Sequence, residues 1–162
     1  MRNRTEFLLY SAARAQHIDE WIMPYLKGGY VVISDRFYDS SYAYQGEARG
    51  LNLQDLTQIT QFATNGLVPN LTILLDLDVK IGLSRAYKRG EIDRLESETI
   101  EFHRRVRNGF LKQAQLHRDR IEIIYDKDLE KRANIKRKHH EIIDIINHRF
   151  GYHLEYRDDL IN

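Results

Sequence analysis

The chain has 162 residues, 42% of them apolar, and two prolines, which suits one domain with a real core and excludes disorder. A net charge of +1 with 30% charged residues lacks the dominant positive field of a nucleic-acid binder. The absence of cysteine excludes disulfides, thiolate zinc sites and a cysteine nucleophile and agrees with a cytoplasmic setting. No apolar run is long enough to span a membrane, and the first residues lead into an amphipathic segment rather than a secretory leader.

Residues 4–27 read as a helix, with Leu8, Ala12, Ala15, Ile22 and Leu26 near one face and Asn3 with Glu6 resembling a capping box. Pro24 bends or ends its last turn, and Gly28-Gly29 stops it. The β-branched run Tyr30-Val-Val-Ile-Ser34 predicts a buried strand over 30–35. It ends in Asp35-Arg36, a carboxylate and a guanidinium at the strand edge where open α/β sheets bind ligands. Beyond them Ser40, Ser41, Tyr42, Tyr44 and Gln45 offer hydroxyls, rings and an amide for a flat polar ligand.

Residues 53–64 form a second amphipathic helix closed by Asn65-Gly66, and 71–78 a buried strand ending in carboxylates. A short helix over 79–88 leads into Lys88-Arg89-Gly90-Glu-Ile-Asp93-Arg94-Leu-Glu96. Three basic groups on that glycine-jointed loop could fold over a polyphosphate, since arginine suits the charge of a transferring phosphoryl group. Residues 98–117 read as a long helix with Phe102, Val106, Phe110 and Leu111 inward. Its His103 and His117 read as solvated, because no metal-ligand spacing accompanies them. A third strand over 121–126 and a helix over 130–150, striped with Ile135, Ile142, Ile143 and Ile146, complete the alternation of a parallel α/β fold. Within that last helix the basic run 136–140 reads as a wet face.

Three strings carry a resemblance. Asp35-Arg-Phe-Tyr-Asp-Ser-Ser-Tyr-Ala-Tyr-Gln-Gly46 resembles the nucleoside-monophosphate site of thymidylate kinases, with Phe37 for the usual tyrosine. Tyr10-Ser-Ala-Ala-Arg14 resembles the segment that precedes this string in the family, and 89–96 resembles its bacterial lid. Glu47 and Ala48 depart from the usual glycines, and Asn70 stands where the family has aspartate. The resemblance covers roughly residues 5–150. It implies a partial P-loop nucleoside-monophosphate-kinase fold, with 1–150 as a truncated thymidylate kinase-like domain and 151–162 as a polar tail. The implied activity is phosphorylation of dTMP to dTDP with ATP and Mg2+, by a cytoplasmic homodimer that needs neither nucleic acid nor membrane. Tyr10 would stack on the thymine, while Arg14 and Arg36 would hold the acceptor phosphate. Ser40, Ser41, Tyr44 and Gln45 would surround the nucleoside. Asp35 would touch magnesium only through water, and Arg89 and Arg94 would close over the transferring group.

One family element is not in the chain: none of the nine glycines is followed by lysine, so there is no Gly-x-x-x-x-Gly-Lys-[Ser/Thr] phosphate loop. In the family that loop follows a strand lying between the strands that match 30–35 and 71–78. Neighbouring strands sit about 4.8 Å apart, so without it the flanking pair stands about 10 Å apart. At roughly 1–3 kcal/mol per buried unpaired backbone group, about five groups on each flank rival a domain's stability of about 5–15 kcal/mol. The expectation is that the sheet closes up, borrows a strand or is unstable, and that the chain is a truncated or split product with impaired turnover. The competing reading is a non-catalytic remnant, or one part of a split kinase whose separate chain carries the phosphate loop, binding dTMP or dimerising without turnover.

Overall fold

Helix α1 (Asn3–His17) runs into a π-helical turn over Ile18–Ile22 and then into α2 (Met23–Lys27). The computed structural model describes residues 1–90, 94–126 and 131–158, and the side chains at 89 and 131–133 are not among those described. Pro24 sits in the first turn of α2, where its missing N–H costs least, and the wide turn just before it absorbs the irregularity. The face of this helical run that is buried consists of Phe7, Ser11, Ile18 and Ile22, whereas Leu8 is exposed. The expected stripe is therefore one residue out at its start. The expected capping box does not form either. Arg2 holds the N-cap without a side-chain bond, and Glu6 is buried inside the protein instead.

Gly28 and Gly29 end α2, but no strand follows. Tyr30, Val31 and Ile33 are exposed, Ile33 at 91%, and among the described residues the sheet has two strands only. These are β1 (Thr72–Asp76) and β2 (Ile121–Tyr125), parallel and in register from Thr72↔Ile121 to Asp76↔Tyr125. The strand expected over 30–35 is thus corrected, and the sheet has not closed up around it. Strand composition is a preference for a pleated, half-buried surface, and it needs a ladder to pair with. β1 is half open as well, with Leu75 exposed rather than buried.

Two short helical pieces, α3 (Asp39–Ser41) and a π-helical segment over Tyr42–Ala48, carry the string after Arg36. Helix α4 (Leu53–Thr64) begins where Asn52 Oδ1 accepts from the N–H of Gln54 and Asp55 at 2.8 and 3.2 Å. It ends at Asn65 in the left-handed region. Helices α5 (Val79–Arg89) and α6 (Ile100–Leu116) link the strands. Helix α6 packs directly on the Tyr42–Ala48 segment: Ala43, Ala48, Phe102 and Val106 form a core that Tyr44, Leu95 and Phe110 flank. A Cβ on Gly109 would lie 2.7 Å from the Ala43 Cα, so only glycine permits this approach. His103, expected to be solvated, has a buried Nε2 beside Phe102.

Helix α7 (Lys131–Phe150) follows β2. Its basic run is not a wet face. Arg137 donates to the Tyr125 carbonyl at 2.6 Å, and Lys138 pairs with Asp126 at 2.9 Å. The end of β2 offers a carbonyl and a carboxylate that local sequence cannot reveal. Residues 151–158 lie along α7, where Asn147 exchanges two hydrogen bonds with Leu154 and Asp158 meets His140 at 2.8 Å. Among the described residues no helix is long and apolar enough to cross a membrane.

Candidate functional site

Arg36 has φ 69°, a left-handed conformation that costs a non-glycine residue about 1–3 kcal/mol and gathers at functional sites. Its carbonyl accepts from Ser34 Oγ at 2.9 Å. Its guanidinium lies 5.3 Å from the centre of the Tyr44 ring, within cation–π range. From α1, Arg14 reaches the same turn, donating from Nη2 to Ser41 Oγ at 3.0 Å and standing 5.8 Å from the Phe37 ring centre. Its Nη1 is buried with no partner. Burial lowers the Arg14 pKa, against the opposing pull of Asp39. An unpaired buried N–H on a cation is costly, and an anionic ligand would satisfy it. Asp35 is exposed and Ser40 half-buried.

Glu6, Tyr10 and Arg14 are spaced four residues apart on one face of α1. Glu6 is 1% exposed, and its carboxylate gathers two donors and a further cation from elsewhere in the chain. Gln45 Nε2 donates to Oε1 at 2.9 Å, Arg94 Nη2 meets Oε2 at 2.6 Å, and Arg49 Nε stands at 3.7 Å. Burial acts to raise the Glu6 pKa, but the bonds from Gln45 and Arg94 and the charges of Arg49 and Arg94 prevail and hold it below the ordinary value. Arg49 also pairs with Glu98 at 2.7 Å and covers the Phe102 ring at 4.5 Å. The Arg94 pKa is raised, first by the Glu6 bond. Gln45 is therefore buried with its amide engaged, rather than lining an open surface. The backbone of Arg89 ends α5, but its side chain, like residues 91–93 of the expected lid, lies outside the described residues.

Two further ion pairs support the site and have no local sequence signal. Asp39 accepts from Arg120 Nη2 and Nη1 at 2.7 and 3.0 Å, and the two side chains are 7% and 6% exposed. Arg120 also faces Thr72 Oγ1 at 3.2 Å and the Tyr38 ring at 5.3 Å, so it ties the functional string to β1. Asp76, at the end of β1, accepts from Arg107 Nε and Nη2, each at 2.7 Å. A shallow concavity lined by Lys80, Leu83, Ser84, Tyr87, Lys88 and Ile100 lies apart from all of these, along α5. Among the described residues no three side chains of metal-ligating type come together.

The sequence model of the thymidylate kinase family matches residues 1–136. The chain is 56% identical over 116 residues to a thymidylate kinase of Carboxydothermus hydrogenoformans, covering 72% of this chain and 57% of that protein. It is 53% identical over 126 residues to one from a Geobacillus species (76% and 60%) and 54% over 123 to one from Lactobacillus helveticus (75% and 58%). The chain thus spans 57–60% of the length of these curated relatives. The crystal structure of thymidylate kinase from Ehrlichia chaffeensis superposes with a TM-score of 0.71 at 27% identity, covering 91% of this chain and 67% of the other. The match takes in Tyr10, Arg14, the whole string from Asp35 to Gly46 and Arg94, and the chain belongs to the thymidylate kinase family.

Proposed function

We propose that this chain binds dTMP as the phosphoryl acceptor in ATP-dependent formation of dTDP, with residues 1–150 as the kinase-like unit and 151–162 appended. The observation that carries this is the buried, unpartnered Nη1 of Arg14, on a guanidinium already held by Ser41. Arg36, in its left-handed conformation, supplies the second positive charge for the acceptor phosphate. Tyr10 offers its half-exposed ring to the base, and Ser40, Ser41 and Tyr44 bound the nucleoside. The acceptor phosphate is already ionised near neutral pH, with its second pKa at about 6. The residues therefore need only position it and compensate charge, and no general base is required. Asp35 suits a magnesium ion held through water, and bound magnesium neutralises charge on the donor phosphates. Arg89 would act on the transferring group. The enzyme would work in the cytoplasm as a homodimer.

A second reading, binding without turnover, is favoured by one observation: no glycine of this sequence precedes a lysine. The amide nest that cradles a donor phosphate is then not supplied by these residues.

Calorimetric titration with dTMP, run beside a magnesium-dependent ADP-release assay, tests both readings. The expected result is dTMP binding that weakens roughly 10- to 100-fold in Arg14→Ala, equivalent to about 1.4–2.8 kcal/mol. ADP release selects the first reading, and binding without release selects the second. Absence of dTMP binding refutes both.

A further inference from the structure

We propose that Glu6 is a positioning residue for the nucleoside end of the site, and that Arg94 acts through it as a strut rather than as a phosphate contact. This rests on the dTMP reading above. A carboxylate that is 1% exposed cannot remain charged without partners, because desolvating it alone is far too costly. Its partners come from three separate places: Gln45 at 2.9 Å, Arg94 at 2.6 Å and Arg49 at 3.7 Å. Two of them, Gln45 and Arg94, lead toward groups the nucleoside would meet. Gln45 follows Tyr44, whose ring carries Arg36 at 5.3 Å. Arg94 meets Glu6 at 2.6 Å, and that carboxylate sits one helical turn before the proposed stacking ring of Tyr10 on the same face of α1.

Tyr10 is 45% exposed, so little packing holds its rotamer. The Glu6–Arg94 pair, one turn before it on the same helix face, supplies that restraint, and Glu6–Gln45 sets the turn carrying Tyr44. Arg94 meets a buried carboxylate at 2.6 Å, and turning to an anion instead would leave Glu6 short of a partner. A salt bridge that served stability alone would leave ligand affinity unchanged in any variant that still folds. A positioning role makes a different demand: affinity must fall for the nucleoside whether or not it carries a phosphate.

The test measures dTMP and thymidine binding by calorimetry in the parent chain, Glu6→Gln, Arg94→Met and the double variant, well below each melting temperature. Both single variants are expected to lose about 10-fold in affinity for dTMP and for thymidine alike, with the double variant losing no more than either single. Glu6→Asp, which keeps the charge, should recover part of the loss. A loss confined to dTMP in Arg94→Met would make that arginine a phosphate contact and overturn the proposal, as would unchanged affinities or fully additive losses. If Glu6→Gln fails to fold, Arg94→Met decides alone, since Gln45 and Arg49 still face the Glu6 carboxylate in that variant. No dTMP binding by the parent chain would sink the functional reading itself. Parent binding with unaffected variants would sink only this inference.

Discussion

Replacing Arg120 with methionine strips Asp39 of its partner in a place where water cannot substitute. Both side chains are under 8% exposed, and two bonds of 2.7 and 3.0 Å join them. Burial works against the charge on Arg120, but Asp39 prevails and its pKa is raised. Removing one member of such a pair leaves an uncompensated buried charge and costs about 3–5 kcal/mol, against a typical total of about 5–15 kcal/mol. At roughly 2–4 °C per kcal/mol for a chain of this size, the melting temperature of Arg120→Met should fall by about 6–20 °C. The double variant Asp39→Asn/Arg120→Met should recover much of that loss, because no charge is then buried alone. Urea unfolding followed by circular dichroism measures both effects. A loss below about 1 kcal/mol, or a double variant no better than the single, would refute the reasoning.

Other outcomes follow from single contacts. Gly109→Ala places a methyl 2.7 Å from the Ala43 Cα, a backbone atom that cannot give way. The overpacking cost of about 1–3 kcal/mol outweighs the gain of about 1 kcal/mol in helix propensity, and the urea midpoint should drop. Asp76→Asn removes the charge on the acceptor of both Arg107 bonds, for a loss of about 1–3 kcal/mol by the same measurement. For Asp126, burial acts to raise the pKa, but bonds from Asn134, Lys138 and Arg85 bring it down to about 2. A depressed carboxylate stabilises the fold above its unfolded value of 3.8, and this contribution vanishes as pH falls through about 2. Acid titration of stability should show that limb in the parent chain and lose it in Asp126→Asn.

Signals acting over a few residues were readable in advance. The helix over 53–64 came out at its expected bounds because Asn52 and Asn65 set its ends by local bonds and dihedrals. The run over 79–88 extended by one residue to Arg89, where Gly90 stops it in the left-handed region. Tyr10, Arg14, Asp35–Gly46 and Arg94 could be singled out from order and residue type alone. Other expectations failed for one shared reason. The run over 30–35 has strand composition but no strand to pair with among the described residues. The basic face over 136–140 looked solvated until β2 brought Tyr125 and Asp126 against it.

The order of residues by itself determined the family, the helices and the chemistry on offer: a pair of arginines, an aromatic and a run of hydroxyls. Only the tertiary structure decided which of these groups are engaged with one another. Glu6 finds Gln45 across 39 residues of chain, and Asp39 finds Arg120 across 81. Helix caps and periodicity act within a turn or two, whereas a buried charge must take its partner from whatever the fold brings against it.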